Sequence, residues 1–314
     1  MKKKRGGIIR VGTWLALLAL FCLPVRPLWA DGEVHLLLSE PEAAYVAAGQ
    51  AFREALGGTR PVQTWLVQEL GPERLRLLTR ENNLLVPIGM RAVRFVAEQH
   101  AGRATILGLM VPRATVERIA WPEELRRTRL AFVYIDQPVE RSLALLTALM
   151  PERKRFGVIV SRENGNTLRD LEREAARRGL LPHAAVVESM GAARTALHRI
   201  LQDSEALVLL PDSLVLTHVN LQNLLLSSYR AGVPVIGFSP GLVKAGAVAA
   251  VFSSPQQIGW QGGGMAQRWL AGGGLPASQY ASRFSVRIND HVARSLGLDL
   301  PPEARVARML GAQD

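Results

Sequence analysis

Gly237-Phe238-Ser239-Pro240-Gly241 has the Gly-x-Ser-x-Gly spacing of a nucleophile elbow and follows an apolar run that reads as a strand. That device needs the backbone N–H after the serine for its oxyanion hole. Here the position is Pro240, which has no N–H. One histidine, His291, lies downstream to act as a base. The pattern therefore argues against a hydrolase, which stands only as a rival reading that Ser239→Ala would test. Gly262-Gly263-Gly264 lacks the dinucleotide spacing after a strand, so close helix packing is its expected use, ahead of phosphate binding at a helix start. Histidines 35, 100, 183, 198, 218 and 291 show no metal-ligand spacing. The single cysteine, Cys22, sits in an N-terminal apolar run and is a passenger there. Neither a catalytic constellation, a cofactor nor a metal site is expected.

The N-terminus explains the cysteine and much of the charge. Lys2, Lys3, Lys4, Arg5 and Arg10 precede an apolar run from Thr13 to Leu23; Pro24 and Arg26 end it, and Leu28-Trp29-Ala30 places a small residue before Asp31. This is the layout of a secretory signal, residues 1–30, cleaved after Ala30. The run is short of the ~20 residues that span a bilayer, so the mature protein is not expected to be embedded in the membrane; an uncleaved anchor is the alternative. A mature chain without cysteine suits an oxidising compartment. The total charge is +11, and six basic residues in the signal, with no acidic ones, leave +5 for the remainder. The remaining basic residues are interleaved with Glu, as in Leu171-Glu172-Arg173-Glu174, which marks solvated helix faces and excludes a nucleic-acid stripe.

Chemistry of this kind must be positioned by a scaffold of about 280 residues, enough for one large or two medium domains. Short apolar runs alternate with amphipathic stretches throughout. Strands are expected at 34–38, 61–67, 84–88, 104–111, 130–135, 155–160, 184–188, 206–210 and 233–238, with helices between them. Near-continuous apolar strands separated by helices mean parallel sheets covered on both faces, and two runs of such units suggest two similar α/β lobes. The stretch from Pro112 to Thr128 breaks the rhythm and is read as the first crossing between lobes. Lobe I is then 31–112 plus 243–280, and lobe II is 113–242 plus 281–314. The helix after 210 is expected from Leu214 to Arg230, with Asp212 or Ser213 as its N-cap. Pro301-Pro302 is expected to end the compact part.

In open parallel sheets, ligands sit beyond the carboxyl ends of the strands. Seven residues at such ends are candidate ligand contacts: Ser39, Gly89, Asp136, Gln137, Asn164, Asp212 and Ser239. Turn residues also collect at strand ends in any α/β protein.

From Leu130 onward the chain resembles ABC-transporter substrate-binding proteins, a broad family that includes tryptophan and tyrosine binders. The segments that carry the likeness are Ala131-Phe-Val-Tyr-Ile-Asp-Gln-Pro138, Pro151-Glu-Arg-Lys-Arg-Phe-Gly-Val-Ile-Val160, Leu207-Val-Leu-Leu-Pro-Asp212, Ala231-Gly-Val-Pro-Val-Ile-Gly-Phe-Ser239 and Phe284-Ser-Val-Arg-Ile-Asn289. The first lobe departs from the pattern, with Gly89-Met90 where the family often has Gly-Thr or Gly-Ser. The resemblance implies a type 1 periplasmic-binding architecture with two Rossmann-like lobes, three crossings and a ligand between them. It also implies a monomeric periplasmic protein that passes a small molecule to an ABC permease and does no chemistry. An exported binding module serving a sensor kinase or an outer-membrane system is the alternative. A repressor of this architecture would need a helix-turn-helix head where the signal sits.

Overall fold

The structure, a computed structural model, describes residues 32–58, 60–99 and 102–312. The expected signal, residues 1–30, lies outside the described residues.

Two six-stranded sheets organise the chain. The first holds β1 (Val34–Leu38), β2 (Val62–Leu66), β3 (Leu84–Ile88), β4 (Thr105–Val111), β5 (Leu130–Tyr134) and the two-residue β11 (Gln279–Tyr280), in the order β11-β5-β4-β3-β1-β2 and wholly parallel. The second holds β6 (Arg155–Ser161), β7 (Leu181–Val187), β8 (Ala206–Val208), β9 (Val235–Gly237), β10 (Ala249–Phe252) and β12 (Ser285–Ile288), in the order β12-β10-β9-β8-β6-β7. Only the β10–β12 pair is antiparallel there. Every residue of β1, β3 and β4 is buried, as parallel strands covered on both faces require.

The helices fill the two faces of each sheet. In the first lobe these are α1 (Ala43–Leu56), α2 (Pro72–Leu78), α3 (Met90–Gln99), the short α4 (Arg113–Val116), α5 (Glu123–Thr128) and, far along the chain, α11 (Pro255–Leu270). The second lobe has α6 (Val139–Leu149), α7 (Gly165–Arg177), α8 (Met190–Asp203), α9 (His218–Arg230), α10 (Pro240–Ala245), α12 (Asp290–Ser295) and α13 (Glu303–Leu310). Gly259 and Gly263 let α11 pack closely on α1. A Cβ at Gly259 would lie 2.0 Å from the Ala48 carbonyl oxygen, and one at Gly263 would lie 2.6 Å from that of Phe52. Only glycine admits backbones this close.

Three expectations need correction. The segment 112–130 is not the first crossing. It is an excursion through α4 and α5 that returns to the same sheet, where β5 pairs with β4 from Ile106↔Leu130 onward. The prolines interrupt the rhythm without changing the sheet. The chain changes sheets after Tyr134, returns after Phe252 and leaves again after Tyr280. Residues 130–135 thus join the first sheet, and 249–252 the second. Second, the helix after β8 begins at His218, capped by the Thr217 hydroxyl, not at Leu214. Third, Pro301-Pro302 does not end the fold. Beyond it α13 buries Val306 completely in the second lobe's core, and Glu303 accepts from the Ile288 N–H (2.8 Å).

Candidate functional site

The carboxyl ends of both sheets converge on a cavity of about 260 Å³. The first lobe contributes Pro112, Ala114, Thr115 and Arg118 after β4, Asp136 and Gln137 after β5, and Tyr280 at the end of β11. The second contributes Glu163, Asn164 and Thr167 after β6, Leu210 to Ser213 and Leu216 after β8, and Phe238 after β9. A β-bulge turns β4 into this space: the register slips between Leu109 and Val111, and Met110 takes φ 57°. Left-handed backbone at a non-glycine residue is strained, and bulges recur beside sites because they re-aim the chain.

Four of the seven predicted residues meet there. Asp136 accepts the Arg113 N–H on both carboxylate oxygens (3.0 and 3.1 Å). Burial pushes its carboxyl up to about 6, against the opposing pull of that N–H and of the Arg113 charge. The Arg113 guanidinium is engaged elsewhere. It donates to Glu117 Oε1 (2.7 Å) and to the Tyr280 hydroxyl (3.2 Å), and lies 3.8 Å from Asp170 in the second lobe. Tyr280 in turn meets Tyr134 edge to face at 5.4 Å.

Gln137 serves the joint between the lobes. Its amide donates to Ser253 Oγ (2.9 Å) and accepts from Arg141 (2.7 Å). Ser253 donates to the Arg283 carbonyl (2.7 Å), and Arg141 to that of Ala281 (2.8 Å). A largely buried hydrogen-bond chain thus ties the three crossings together.

Asp212 is not a helix N-cap. One carboxylate oxygen accepts the N–H groups of Leu214 (3.0 Å) and Val215 (3.1 Å), closing a turn. The other accepts the Ser161 N–H and the Asn164 amide, both at 2.7 Å. It pins the loop after β8 to the loop after β6, and Asn164 is its partner.

The remaining three lie outside the cavity. Ser39 is buried and accepts the Ala92 N–H (2.9 Å) at the start of α3. Gly89 has φ 88°, and a Cβ there would sit 2.6 Å from Ser39 Oγ. Ser239 caps α10 by accepting the Leu242 N–H (3.3 Å). All three hold strand-to-helix turns, the ordinary duty of such residues.

Several lining residues had no expectation attached. Arg118 and Glu163 pair across the two lobes at 2.8 Å, with both side chains about half exposed. Phe238 ends an apolar strand and was within reach of strand-end logic. Tyr280 sits on a two-residue strand and gave no periodic signal. Among the described residues, no three His, Cys, Asp or Glu side chains are grouped to hold a metal ion.

Residues 133–307 match the family model described as ABC transporter substrate binding protein. No curated protein sequence matches the chain. Among solved structures, the chain is similar to an ABC domain in complex with L-Trp from Streptococcus pneumonia, with TM-score 0.60, 16% identity, and coverage of 89% of this chain and 99% of that one. It is likewise similar to the ligand-free, open form of CD0873, a substrate binding protein with adhesive properties from Clostridium difficile, with TM-score 0.67, 16% identity, and coverage of 86% and 96%. A conserved domain protein from Vibrio cholerae gives TM-score 0.60 and 21% identity over 88% and 98%. At these identities the structures establish a shared fold: two α/β lobes of the type 1 periplasmic-binding class.

Proposed function

Because the chain belongs to the family of ABC transporter substrate binding proteins, we propose that it captures a small solute in the cavity between its lobes and delivers it to an ABC permease. The observation that carries this reading is the cavity itself. It is built from the carboxyl ends of two parallel sheets, where such sheets bind ligands. Its size suits a small metabolite, and its lining mixes apolar walls with a few polar groups. Asp136, Asn164 and Asp212 shape its floor, and Gln137 belongs to the joint about which the lobes close. The protein does no chemistry on the solute: Ser239 is spent on a helix cap, and Pro240 leaves no N–H for an oxyanion.

Residues 1–30 act as the export signal, and the mature chain works in the periplasm from Asp31 as a monomer. N-terminal sequencing should find Asp31; retained Met1 on a membrane-bound product would count against export. The binding role is tested by a thermal-shift screen of the mature protein against small metabolites, since a ligand of the native state raises its stability. A positive compound should also lower the radius of gyration in small-angle scattering, as lobes closing on a ligand do. Binding without any change in radius would argue against a closing cleft.

A further inference from the structure

Three carboxylates and one guanidinium line the cavity: Asp136, Glu163 and Asp212 against Arg118. The chain as a whole carries +11, so this negative lining runs opposite to the average charge of the molecule. A cleft lined by one sign of charge concentrates solutes of the other.

The three carboxylates are not equivalent. Asp212 has each oxygen filled by two N–H donors. Glu163 is bound to Arg118 at 2.8 Å, so those two charges cancel each other. Neither aspartate has a cationic partner within ion-pair distance among the described residues, but Asp136 alone of the three also keeps acceptor positions open. It accepts the Arg113 N–H, shared between its two oxygens, and its own backbone N–H, although a carboxylate has about four acceptor positions. The groups facing it add no free cation. The Arg113 guanidinium is held by Glu117 and the Tyr280 hydroxyl, Glu117 is itself negative, and the Tyr134 and Tyr280 hydroxyls are neutral. Burial raises the Asp136 carboxyl, as an uncompensated negative charge requires. The cavity walls include the rings of Tyr280 and Phe238 and the side chains of Leu210 and Leu216. Aromatic faces attract cations and accept apolar bodies.

We propose that the solute is an organic ammonium ion, its charged nitrogen against Asp136 and its apolar body along Tyr280, Phe238 and Leu216. This assignment rests on the cavity being the binding site. It asks for no carboxylate on the solute, because Arg118, the one guanidinium of the lining, already holds Glu163. An amine is therefore expected to bind more tightly than the amino acid of the same skeleton.

The test is a calorimetric panel on the mature protein. Primary amines from ethylamine through phenethylamine to tryptamine are each matched with the alcohol and the carboxylic acid of the same skeleton, and L-phenylalanine and L-tryptophan are included. At least one amine should bind, at least tenfold tighter than its alcohol, acid and amino-acid counterparts, and Asp136→Asn should weaken it at least tenfold. The wild type alone gives a second measurement. Amine affinity should fall as the pH drops through about 6, where Asp136 takes up a proton while the amine stays charged. No histidine lines the cavity to mimic that fall. An affinity flat from pH 8 to 5, or retained in Asp136→Asn, overturns the assignment. If alcohols, acids or amino acids bind as well as the amines and shrink the radius in scattering, solute capture stands and the ammonium assignment falls. If nothing in the panel binds, the assignment falls, and a null result from the wider metabolite screen is what would remove the capture role too.

Discussion

Replacing Asp136 by Asn should make the empty protein more stable at neutral pH, by an amount that depends on pH in a defined direction. Burial holds the folded-state carboxyl at about 6, above the ordinary aspartate range. Below about pH 4 the acid is protonated whether the chain is folded or not, and its charge plays no part. As the pH rises, the unfolded chain releases its proton first. The folded cleft keeps its proton until about 6, and between these points the wild type loses stability. The rise is about two pH units, and at about 1.4 kcal/mol per unit it corresponds to about 3 kcal/mol at most. Water in an open cleft lowers that figure, so about 1–3 kcal/mol is expected. Asn keeps an oxygen for the Arg113 N–H and carries no charge, so the variant's stability lacks this slope. For a chain of this size the difference amounts to several degrees of melting temperature. Thermal unfolding of both proteins at intervals between pH 4 and 8 measures it. The variant's advantage should grow across pH 4 to 6 and then level off. A constant gap, or a wild type that gains on the variant as pH rises, would show that the Arg113 N–H and guanidinium outweigh burial, and would refute the reasoning.

Further substitutions separate scaffold from site. Gly259→Ala drives a methyl toward the Ala48 carbonyl and should destabilise by about 1–3 kcal/mol, whereas Gly264→Ala, which meets open space in the same helix, should stabilise by about 0.5–1 kcal/mol; melting curves of the pair decide it. Asp212→Asn leaves one oxygen for four N–H donors and should cost about 1–3 kcal/mol in the empty protein, read by chemical denaturation. Ser239→Ala should cost about 1 kcal/mol through loss of the α10 cap, while any ligand-induced thermal shift keeps its size.

Legibility in the sequence followed periodicity. Strands with unbroken apolar runs were found at their observed positions, as at Val34–Leu38 and Leu84–Ile88. What periodicity cannot show is which sheet a strand joins. The apolar run at Leu130–Tyr134 looks the same in either lobe, and only its pairing with β4 decides. The same limit applied to the site. Strand-end logic brought Asp136, Gln137, Asn164 and Asp212 to the cavity, yet it treated them as equals. Their hydrogen bonds separate a lobe joint at Gln137 and a filled loop pin at Asp212 from a carboxylate with open acceptor positions at Asp136. Tyr280 was invisible because a two-residue strand has no period to read.

The close pairing of α1 with α11 joins residues about two hundred positions apart, and this bears on how the chain reaches its native state. As synthesis proceeds, β1 to β5 are complete long before α11 exists. Phe52 and Ala48, buried in the finished molecule between the first sheet and α11, lack the α11 side of their cover until residue 270 has emerged. Neither lobe can therefore finish early: the first waits for α11 and β11, and the second for β12 and α13. Contacts of such separation make folding slow, and an uncovered apolar helix face is what holding chaperones bind. The amino-terminal half of the chain therefore cannot lock into place ahead of its carboxyl-terminal half.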